Sequence, residues 1–287
     1  MLWQKVAFMM SLIPSVALAA GIAIANSSTY AGGLVALPQS DSDTGPAVTT
    51  LEATFTVPNL TYASGQSGNG DPYRLAVQCG ISAVTDANPN AACNHRGPHM
   101  GIFANLSSAG QSQQSWYNWP NLSVEGLSSA QDSLLNFTAG DEMFVTISLL
   151  SATNATYTFM NLKNENVTVT VAQDGGSSQP MCSGQGTTAY AGCYIGVTDA
   201  STMPGFVEID FESVMVYDRS NTTHDFGLDQ TVQFYQLVDS NGKLKAMPKL
   251  DDAYDFSVKW SENPDYGSGT GGAGTPPSPD TTTALRW

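Results

Sequence analysis

Basic residues are scarce in this chain. Its 287 residues include 10 Lys and Arg against 25 Asp and Glu, which gives a formal net charge of −15. So negative a protein disfavours nucleic acid and anionic membranes as partners. Self-repulsion falls as carboxylates protonate, which favours an acidic working environment, although a solubility adaptation explains the same charge equally well.

Long apolar runs are also missing, apart from one at the amino terminus. Lys5 precedes an apolar run over residues 6–18 that leads into Ala17-Leu18-Ala19. A short apolar run before a small-residue cleavage motif is typical of a secretory signal peptide, and this run is too short to cross a bilayer comfortably as a helix. We therefore predict a signal peptide over residues 1–19, a secreted, extracellular protein and no membrane partner.

Sustained helical periodicity is absent after residue 49. Short runs of β-branched and aromatic residues instead alternate with Gly, Asn, Asp, Ser and Pro, which predicts an all-β chain. The predicted strands cover residues 51–57, 73–79, 99–105, 113–119, 142–150, 156–162, 166–172, 188–197, 206–217, 230–238 and 254–260. This spacing suits a single β-sandwich or jelly roll over residues 20–266.

Two further features of local composition complete this organisation. Asn241-Gly242 lies between two apolar runs and predicts a tight hairpin turn. Residues 267–287 are rich in Gly, Ser, Thr and Pro. We expect them to form a disordered tail or a linker.

Cysteine is limited to 4 residues, Cys79, Cys93, Cys182 and Cys193. In an oxidising compartment they predict two disulfide bonds, and their spacing alone does not choose the pairing. Asn-X-Ser/Thr sequons are frequent, and we expect several to be glycosylated and therefore exposed. They begin at Asn26, Asn59, Asn105, Asn121, Asn136, Asn154, Asn166 and Asn221.

Histidine is equally scarce, with 3 residues in the chain. His95 and His99 flank Gly97-Pro98, which excludes the helical i, i+4 geometry of a zinc pair. We predict no metal site and no cofactor.

One acidic pattern is typical of an active site. Residues 208–212, Glu-Ile-Asp-Phe-Glu, place three carboxylates on one face of a predicted strand. The segment resembles the signature of retaining endo-glucanases and xyloglucan transglycosylases, which implies Glu208 as nucleophile, Glu212 as acid/base and Asp210 as modulator. A regular strand, however, separates positions 208 and 212 by about 13 Å. The alternative is a solvated acidic strand, with its apolar residues packed inward. Those residues are Val207, Ile209 and Phe211.

Six segments between residues 27 and 260 carry a second resemblance, in their order along the chain. They are residues 28–35 (Ser-Thr-Tyr-Ala-Gly-Gly-Leu-Val), 54–58 (Thr-Phe-Thr-Val-Pro), 115–120 (Ser-Trp-Tyr-Asn-Trp-Pro), 137–143 (Phe-Thr-Ala-Gly-Asp-Glu-Met), 237–242 (Leu-Val-Asp-Ser-Asn-Gly) and 255–260 (Asp-Phe-Ser-Val-Lys-Trp). Together they resemble the glutamic peptidase (eqolisin) family, acid endopeptidases of fungi. The resemblance implies a concanavalin A-like sandwich of two antiparallel sheets, with a substrate cleft on the concave sheet. We expect a monomer.

The resemblance also locates the catalytic positions. In that family a glutamate acts as general base on a water, and a glutamine positions the water and holds the oxyanion. His99 falls at the glutamine position and Gly196 at the glutamate position, and glycine cannot take a proton. A shifted register would make Asp199 the acid, and a protonated His99 could donate to an oxyanion at low pH. The alternative for His99 is an ordinary buried, hydrogen-bonded histidine.

An aromatic segment contributes the substrate-binding positions. Trp116 falls where the family's cleft Trp binds substrate, while Gln114 and Asn118 replace neighbouring acids. Strand alternation puts Trp116 and Asn118 on one face and Tyr117 and Trp119 on the other; the alternative is that all three rings are core. For the cysteines, the resemblance implies Cys93–Cys182, which leaves Cys79–Cys193 to join the two strands that formerly carried an acid.

Three functions remain open from the sequence. The favoured one is a glutamic endopeptidase-like protein that acts at acidic pH with impaired catalysis, a pseudoenzyme of its family. The second is a non-enzymatic sandwich that binds peptide or carbohydrate. The third is a retaining glycoside hydrolase that uses the acids of residues 208–212. The expected substrate is therefore a polypeptide or a polysaccharide.

Overall fold

The computed structural model describes residues 24–39, 45–70, 72–85, 91–119, 125–127, 129–164, 167–174, 180–226 and 232–261. The predicted signal peptide and tail lie outside these ranges. The strands are β1 (Ile24–Ser27), β2 (Tyr30–Pro38), β3 (Val48–Thr56), β4 (Tyr73–Thr85), β5 (His99–Ser107), β6 (Gly110–Asn118), β7 (Glu125–Gly126), β8 (Glu142–Leu149), β9 (Asn154–Asn161), β10 (Thr168–Asp174), β11 (Thr187–Gly196), β12 (Glu208–Asp218), β13 (Thr223–His224), β14 (Val232–Val238), β15 (Leu244–Leu250) and β16 (Phe256–Trp260).

Helical structure is confined to short segments. The α-helix α1 covers Ser129–Leu135, and single 3₁₀ turns cover Leu162–Asn164 and Ala200–Thr202. No helix in the described ranges has the length and apolar character needed to cross a membrane.

The strands follow one hydrogen-bonded path that folds back on itself. Its order is β10-β9-β8-β3-β12-β16-β15-β14-β2-β11-β4-β5-β6-β7, with β1 added to β14 and β13 to β12. Strand β3 packs against β4 and β11, and β8 packs against β4 and β5, without pairing with them. The path therefore forms two layers, with β3, β8, β9, β10, β12 and β16 in the first and β2, β4, β5, β6, β7 and β11 in the second. Strands β14 and β15 connect them.

Large apolar side chains fill the space between the layers. Phe55 and Phe211 of the first layer are fully buried, as are Val77 and Ile102 of the second. The rings of Phe211 and Phe256 stack with centroids 4.9 Å apart. In each layer the core receives alternate residues of the strands, because successive side chains of a strand point to opposite faces.

The all-β sandwich predicted from the sequence is confirmed. The hairpin predicted at Asn241-Gly242 joins β14 to β15, and Gly242 has φ of 76° there. Asp239 closes the turn by accepting hydrogen bonds from the backbone N–H groups of Asn241 and Lys243, both at 2.9 Å. The predicted strands omitted β1, β2, β7 and β13, as well as helix α1, and β15 was implied only by the hairpin.

Both disulfide bonds implied by the resemblance are present. Cys79 and Cys193 lie directly opposite each other on β4 and β11, with Cα atoms 4.0 Å apart. Cys93 and Cys182 are bonded with a Cα separation of 4.9 Å. The first bond therefore ties together two neighbouring strands of the second layer.

The sequons of the described residues differ in exposure. Asn26, Asn59, Asn136 and Asn221 are exposed, which suits glycan attachment, whereas Asn105 and Asn154 are partly buried. Asn121 and Asn166 lie outside the described residues.

Candidate functional site

The side chains of the second layer that point away from the core form a continuous surface, which we call the outer face. Strand alternation assigns residues to it. On β4 the core receives Leu75, Val77 and Cys79, so Gln78 and Gly80 belong to the outer face. Strand pairing then aligns neighbouring strands across this surface. One row contains Asn118, His99, Gly80, Gly192 and Leu34, and the next contains Trp116, Gly101, Gln78, Tyr194 and Gly32.

Glycines of the outer face lie beneath side chains of neighbouring strands. The ring of His99 covers Gly80 so closely that a Cβ atom at position 80 would clash with it. The amide nitrogen of Gln78 would stand 2.8 Å from a Cβ atom at Gly196. The position aligned with the family's glutamate, Gly196, and the neighbouring outer-face position Gly80 are therefore both covered by side chains from adjacent strands.

His99 is held in one orientation. Its side chain is only 3% exposed, and its ring packs edge-to-face on Tyr194 with centroids 6.5 Å apart. Nδ1 lies 3.0 Å from the carbonyl oxygen of Gly97. Because a carbonyl oxygen can only accept, Nδ1 carries the proton and donates, which makes Nε2 the acceptor nitrogen of the neutral ring.

Burial also fixes the charge of His99. It lowers the pKa of His99 to about 4, and the hydrogen bond to the Gly97 carbonyl offsets only part of this effect. The imidazole is therefore neutral at all but strongly acidic pH. A cationic His99 that donates to an oxyanion would exist only below about pH 4.

The acids that could replace the family's glutamate lie elsewhere. Strand β11 ends at Gly196, and Asp199 follows it, exposed, as the cap of the turn Ala200–Thr202. The Asp199 carboxylate accepts a hydrogen bond from the backbone N–H of Ser201 at 2.8 Å, which lowers the pKa of Asp199. Within the described parts of β2, β4, β5, β6 and β11, the outer face presents no Asp or Glu.

Trp116 lies on the outer face beneath other side chains. Its ring stacks on Phe103 at 5.0 Å, and the Arg74 guanidinium covers Phe103 at 4.9 Å. Trp116 is 5% exposed, while Gln114 is exposed and Asn118 partly buried. The indole Nε1 of Trp116 and Oδ1 of Asn118 are both buried, and neither has a hydrogen-bond partner in the described structure.

The two other rings of the aromatic segment face the core. Trp119 is fully buried, and Tyr117 packs against Tyr157 with ring centroids 5.1 Å apart. The alternation predicted for this segment therefore holds, with Trp116 and Asn118 on one side of β6 and Tyr117 and Trp119 on the other.

A tyrosine cluster extends the outer face toward β14. Tyr30 lies 5.6 Å from Tyr194 and 4.9 Å from Tyr235, measured between ring centroids. Leu34 and Tyr190 pack against the same group. Burial raises the pKa values of Tyr30 and Tyr194, so their phenols stay neutral. The cluster supplies apolar area without charge.

Strand β12, which carries Glu208, Asp210 and Glu212, lies on the other side of the sandwich. Ile209 and Phe211 of β12 enter the core, so Glu208, Asp210 and Glu212 project from the first layer, away from the outer face of the second. Glu208 pairs with Lys259 at 3.1 Å. Burial, followed by the negative charge of neighbouring carboxylates, raises the pKa values of Asp210 and Glu212.

The predicted inward position of Val207 is wrong. The sequence pattern placed it inward with Ile209 and Phe211, but Val207 is 65% exposed and Phe206 is 2% exposed. The reason is that β12 begins at Glu208, so the strict alternation does not extend to position 207.

Gln78 is a residue of the outer face that the sequence analysis did not identify. It sits in the middle of its row, opposite Gly101 on one side and Tyr194 on the other, and it is partly exposed. A signal was available, because Gln78 is a polar residue inside the otherwise apolar run of residues 75–81. Its two neighbours across the strands were not accessible from the sequence.

Comparison with known proteins identifies this arrangement. Two solved structures resemble the fold: scytalido-glutamic peptidase with a peptide-based transition state analogue, at 16% identity and a TM-score of 0.58, and SCP-B, an eqolisin in complex with the tripeptide Ala-Ile-His, at 17% identity and a TM-score of 0.56. Each match covers 82% of this chain and 98% of the other chain. No curated protein sequence matches significantly. The model of the Peptidase A4 family matches residues 31–260. The chain therefore belongs to the Peptidase A4 family, the glutamic peptidase (eqolisin) family that its motifs resemble.

Proposed function

We propose that this chain is a secreted, glutamic peptidase-like protein that binds polypeptides on its outer face and does not cleave them with the family's Gln/Glu pair. One observation carries the proposal: the outer face presents no carboxylate in the described parts of its strands. Hydrolysis of a peptide by an activated water needs a group that takes the proton of that water. Gly196, at the glutamate position, has no side chain to do so.

His99 does not supply the missing chemistry. Its ring lies over Gly80, and its Nδ1–H is directed at the Gly97 carbonyl. Only the cationic form could donate from Nε2 to an oxyanion, and the low pKa of about 4 restricts that form to strongly acidic solution. The geometry supports binding more than catalysis.

Secretion and an acidic working pH are parts of the same proposal. The apolar segment of residues 6–18 supports export. The two disulfide bonds support an oxidising compartment. The net charge of −15 supports an acidic environment, where self-repulsion is smaller.

The test uses the secreted, mature protein with two probes, acid-denatured serum albumin and a soluble β-glucan. Both are incubated at about pH 4 and about pH 7, and both binding and products are measured. Binding of albumin without new peptide fragments supports the proposal. Fragments would contradict the loss of catalysis, provided that their yield falls in the His99→Phe variant, because a contaminating peptidase would cleave equally in both preparations.

The β-glucan arm separates the other functions. New reducing ends that disappear in Glu208→Gln would show glycoside hydrolysis by the first layer. Binding of β-glucan in place of albumin would identify a carbohydrate-binding sandwich. Either result would contradict a polypeptide ligand.

A further inference from the structure

Gln78 has a feature that its neighbours on the outer face do not share. Its side chain is partly exposed, whereas His99, Trp116 and Tyr194 are at most 5% exposed. No hydrogen bond of the Gln78 carboxamide is present in the described structure. Its amide can therefore be reached from solution and is available to a ligand.

Two glycines adjoin Gln78 on the neighbouring strands. Gly101 lies opposite it on β5, and Gly196 lies one row away on β11, beneath the Gln78 amide nitrogen. Neither glycine carries a side chain. A ligand backbone can thus approach the Gln78 carboxamide more closely than it could between two larger residues.

The chemistry of the carboxamide matches one kind of ligand. An amide side chain offers two N–H donors and one carbonyl acceptor, which are the complements of the C=O and N–H groups of a peptide unit. Tyr190 and Tyr235, the partly exposed members of the tyrosine cluster, border the same surface and offer apolar area to side chains. Both surfaces are uncharged, so they favour a neutral main chain over an ion.

We propose that Gln78 is the peptide-positioning residue of the outer face, and that its carboxamide hydrogen-bonds to the main chain of an extended polypeptide that crosses Gly196. This inference rests on the proposed polypeptide-binding function and adds the group that holds the chain. Gln78 takes the space above Gly196, so the family's acid position becomes a neutral hydrogen-bonding position in this protein.

The experiment measures binding of capped hexa-alanine, a probe whose recognition depends on its main chain, by NMR titration of the labelled secreted protein. The Gln78→Ala variant is expected to bind about three- to tenfold more weakly than wild type, the loss associated with one hydrogen bond. The matched control is Gln113→Ala. Gln113 is also partly exposed, but it pairs with the core residue Ala104 and therefore faces the opposite side of the second layer. Its substitution is expected to leave affinity unchanged.

A second readout distinguishes a hydrogen bond from a structural effect. Single N-methylation of the hexa-alanine at successive positions removes one N–H at a time. At the position that contacts Gln78, methylation should weaken binding to wild type about three- to tenfold but leave binding to Gln78→Ala nearly unchanged. Thermal unfolding of the two variants is expected to match wild type, because neither substitution removes a hydrogen bond of the described structure.

The outcomes against the inference are distinct. Equal affinity of wild type and Gln78→Ala, or the same methylation profile in both, would overturn the role of Gln78 while leaving polypeptide binding intact. Binding of denatured albumin without binding of hexa-alanine would overturn main-chain recognition. Failure of wild type to bind either probe would overturn the proposed function together with this inference.

Discussion

His99 couples the stability of the protein to pH at the scale of a single residue. Burial lowers its pKa from 6.5 to about 4, so in this range the unfolded chain binds more protons than the folded one. Its contribution to stability is therefore full above about pH 6.5 and is lost as pH falls toward about 4. The total loss is roughly 3 kcal/mol.

The prediction is that His99→Gln and His99→Phe remove this pH dependence. Urea unfolding at about pH 7 and about pH 4.5 gives the difference in unfolding free energy for each protein. The difference should be smaller in both variants than in wild type by a large part of those roughly 3 kcal/mol. If all three proteins lose the same stability between the two pH values, His99 is solvated enough to titrate normally.

Two glycines of β11 have different neighbours: the backbone of β2 lies against Gly192, and a side chain lies over Gly196. A Cβ atom at Gly192 would clash with the backbone carbonyl of Gly33, whereas one at Gly196 would meet the amide end of Gln78 at 2.8 Å. A flexible side chain can move aside, but the backbone of a paired strand cannot.

We therefore predict that Gly192→Ala destabilises the protein by roughly 1–3 kcal/mol or more and that Gly196→Ala changes stability by much less. Thermal and urea unfolding of the two variants measure the contrast, and each variant serves as the control for the other. Equal destabilisation would mean that Gln78 is held as rigidly above Gly196 as the backbone of β2 is beside Gly192.

At the scale of the secondary-structure element, ionised carboxylates on the exposed side of β12 lower the stability of the folded protein. Burial, then the charges of Glu208 and Asp251, raise the pKa of Asp210. A folded-state pKa above the unfolded value means that the ionised group disfavours folding, so its penalty is absent at strongly acidic pH and grows as pH rises through the folded pKa.

Asp210→Asn should consequently stabilise the protein at pH 7, by up to about 1 kcal/mol for such a partly exposed group, and the gain should vanish below about pH 3.8, the ordinary pKa. Urea unfolding at both pH values measures it. Asp199→Asn is the control of opposite sign, because its Ser201 hydrogen bonds lower the pKa of Asp199. Stabilisation by both substitutions would point to general self-repulsion rather than to the environment of Asp210.

The elements also show what the sequence could and could not predict. Long strands with clear alternation, such as β6 and β9, were predicted to within a few residues. Strand β2 was not among the predicted strands, because all seven residues that follow Tyr30 in it are buried and leave no alternation. Helix α1, with 7 residues, is too short to show a period.

The candidate site was only partly predictable, because it depends on contacts between strands as well as on the pattern along each strand. Alternation along one strand places Trp116 and Asn118 on a common face, but the neighbours of Gln78 depend on which strands pair and in which register. Strands β4 and β11 are joined through Cys79 and Cys193, which are 114 residues apart in sequence. No local pattern encodes that pairing, so the positions of His99 over Gly80 and Gln78 over Gly196 required the structure.

At the scale of the whole molecule, the excess of acidic residues should make acidification stabilise the protein, which is opposite to the effect of His99. The formal net charge of −15 at pH 7 makes the folded protein repel itself, and protonation of carboxylates on acidification relieves this repulsion. Salt relieves it as well, because the Debye length falls from about 30 Å at 0.01 M to about 8 Å at 0.15 M ionic strength. Salt and acid should therefore both weaken the same electrostatic self-repulsion.

We predict that raising NaCl from about 0.01 M to about 0.15 M increases the thermal unfolding midpoint clearly at pH 7 and much less at about pH 4, where fewer carboxylates are ionised. Calorimetry at both pH values measures the two shifts. Sucrose is the control, because it stabilises by exclusion from the protein surface and should act similarly at both pH values. Equal salt effects at the two pH values would contradict self-repulsion as the cause, and the acidic composition would then reflect solubility rather than adaptation to an acidic environment.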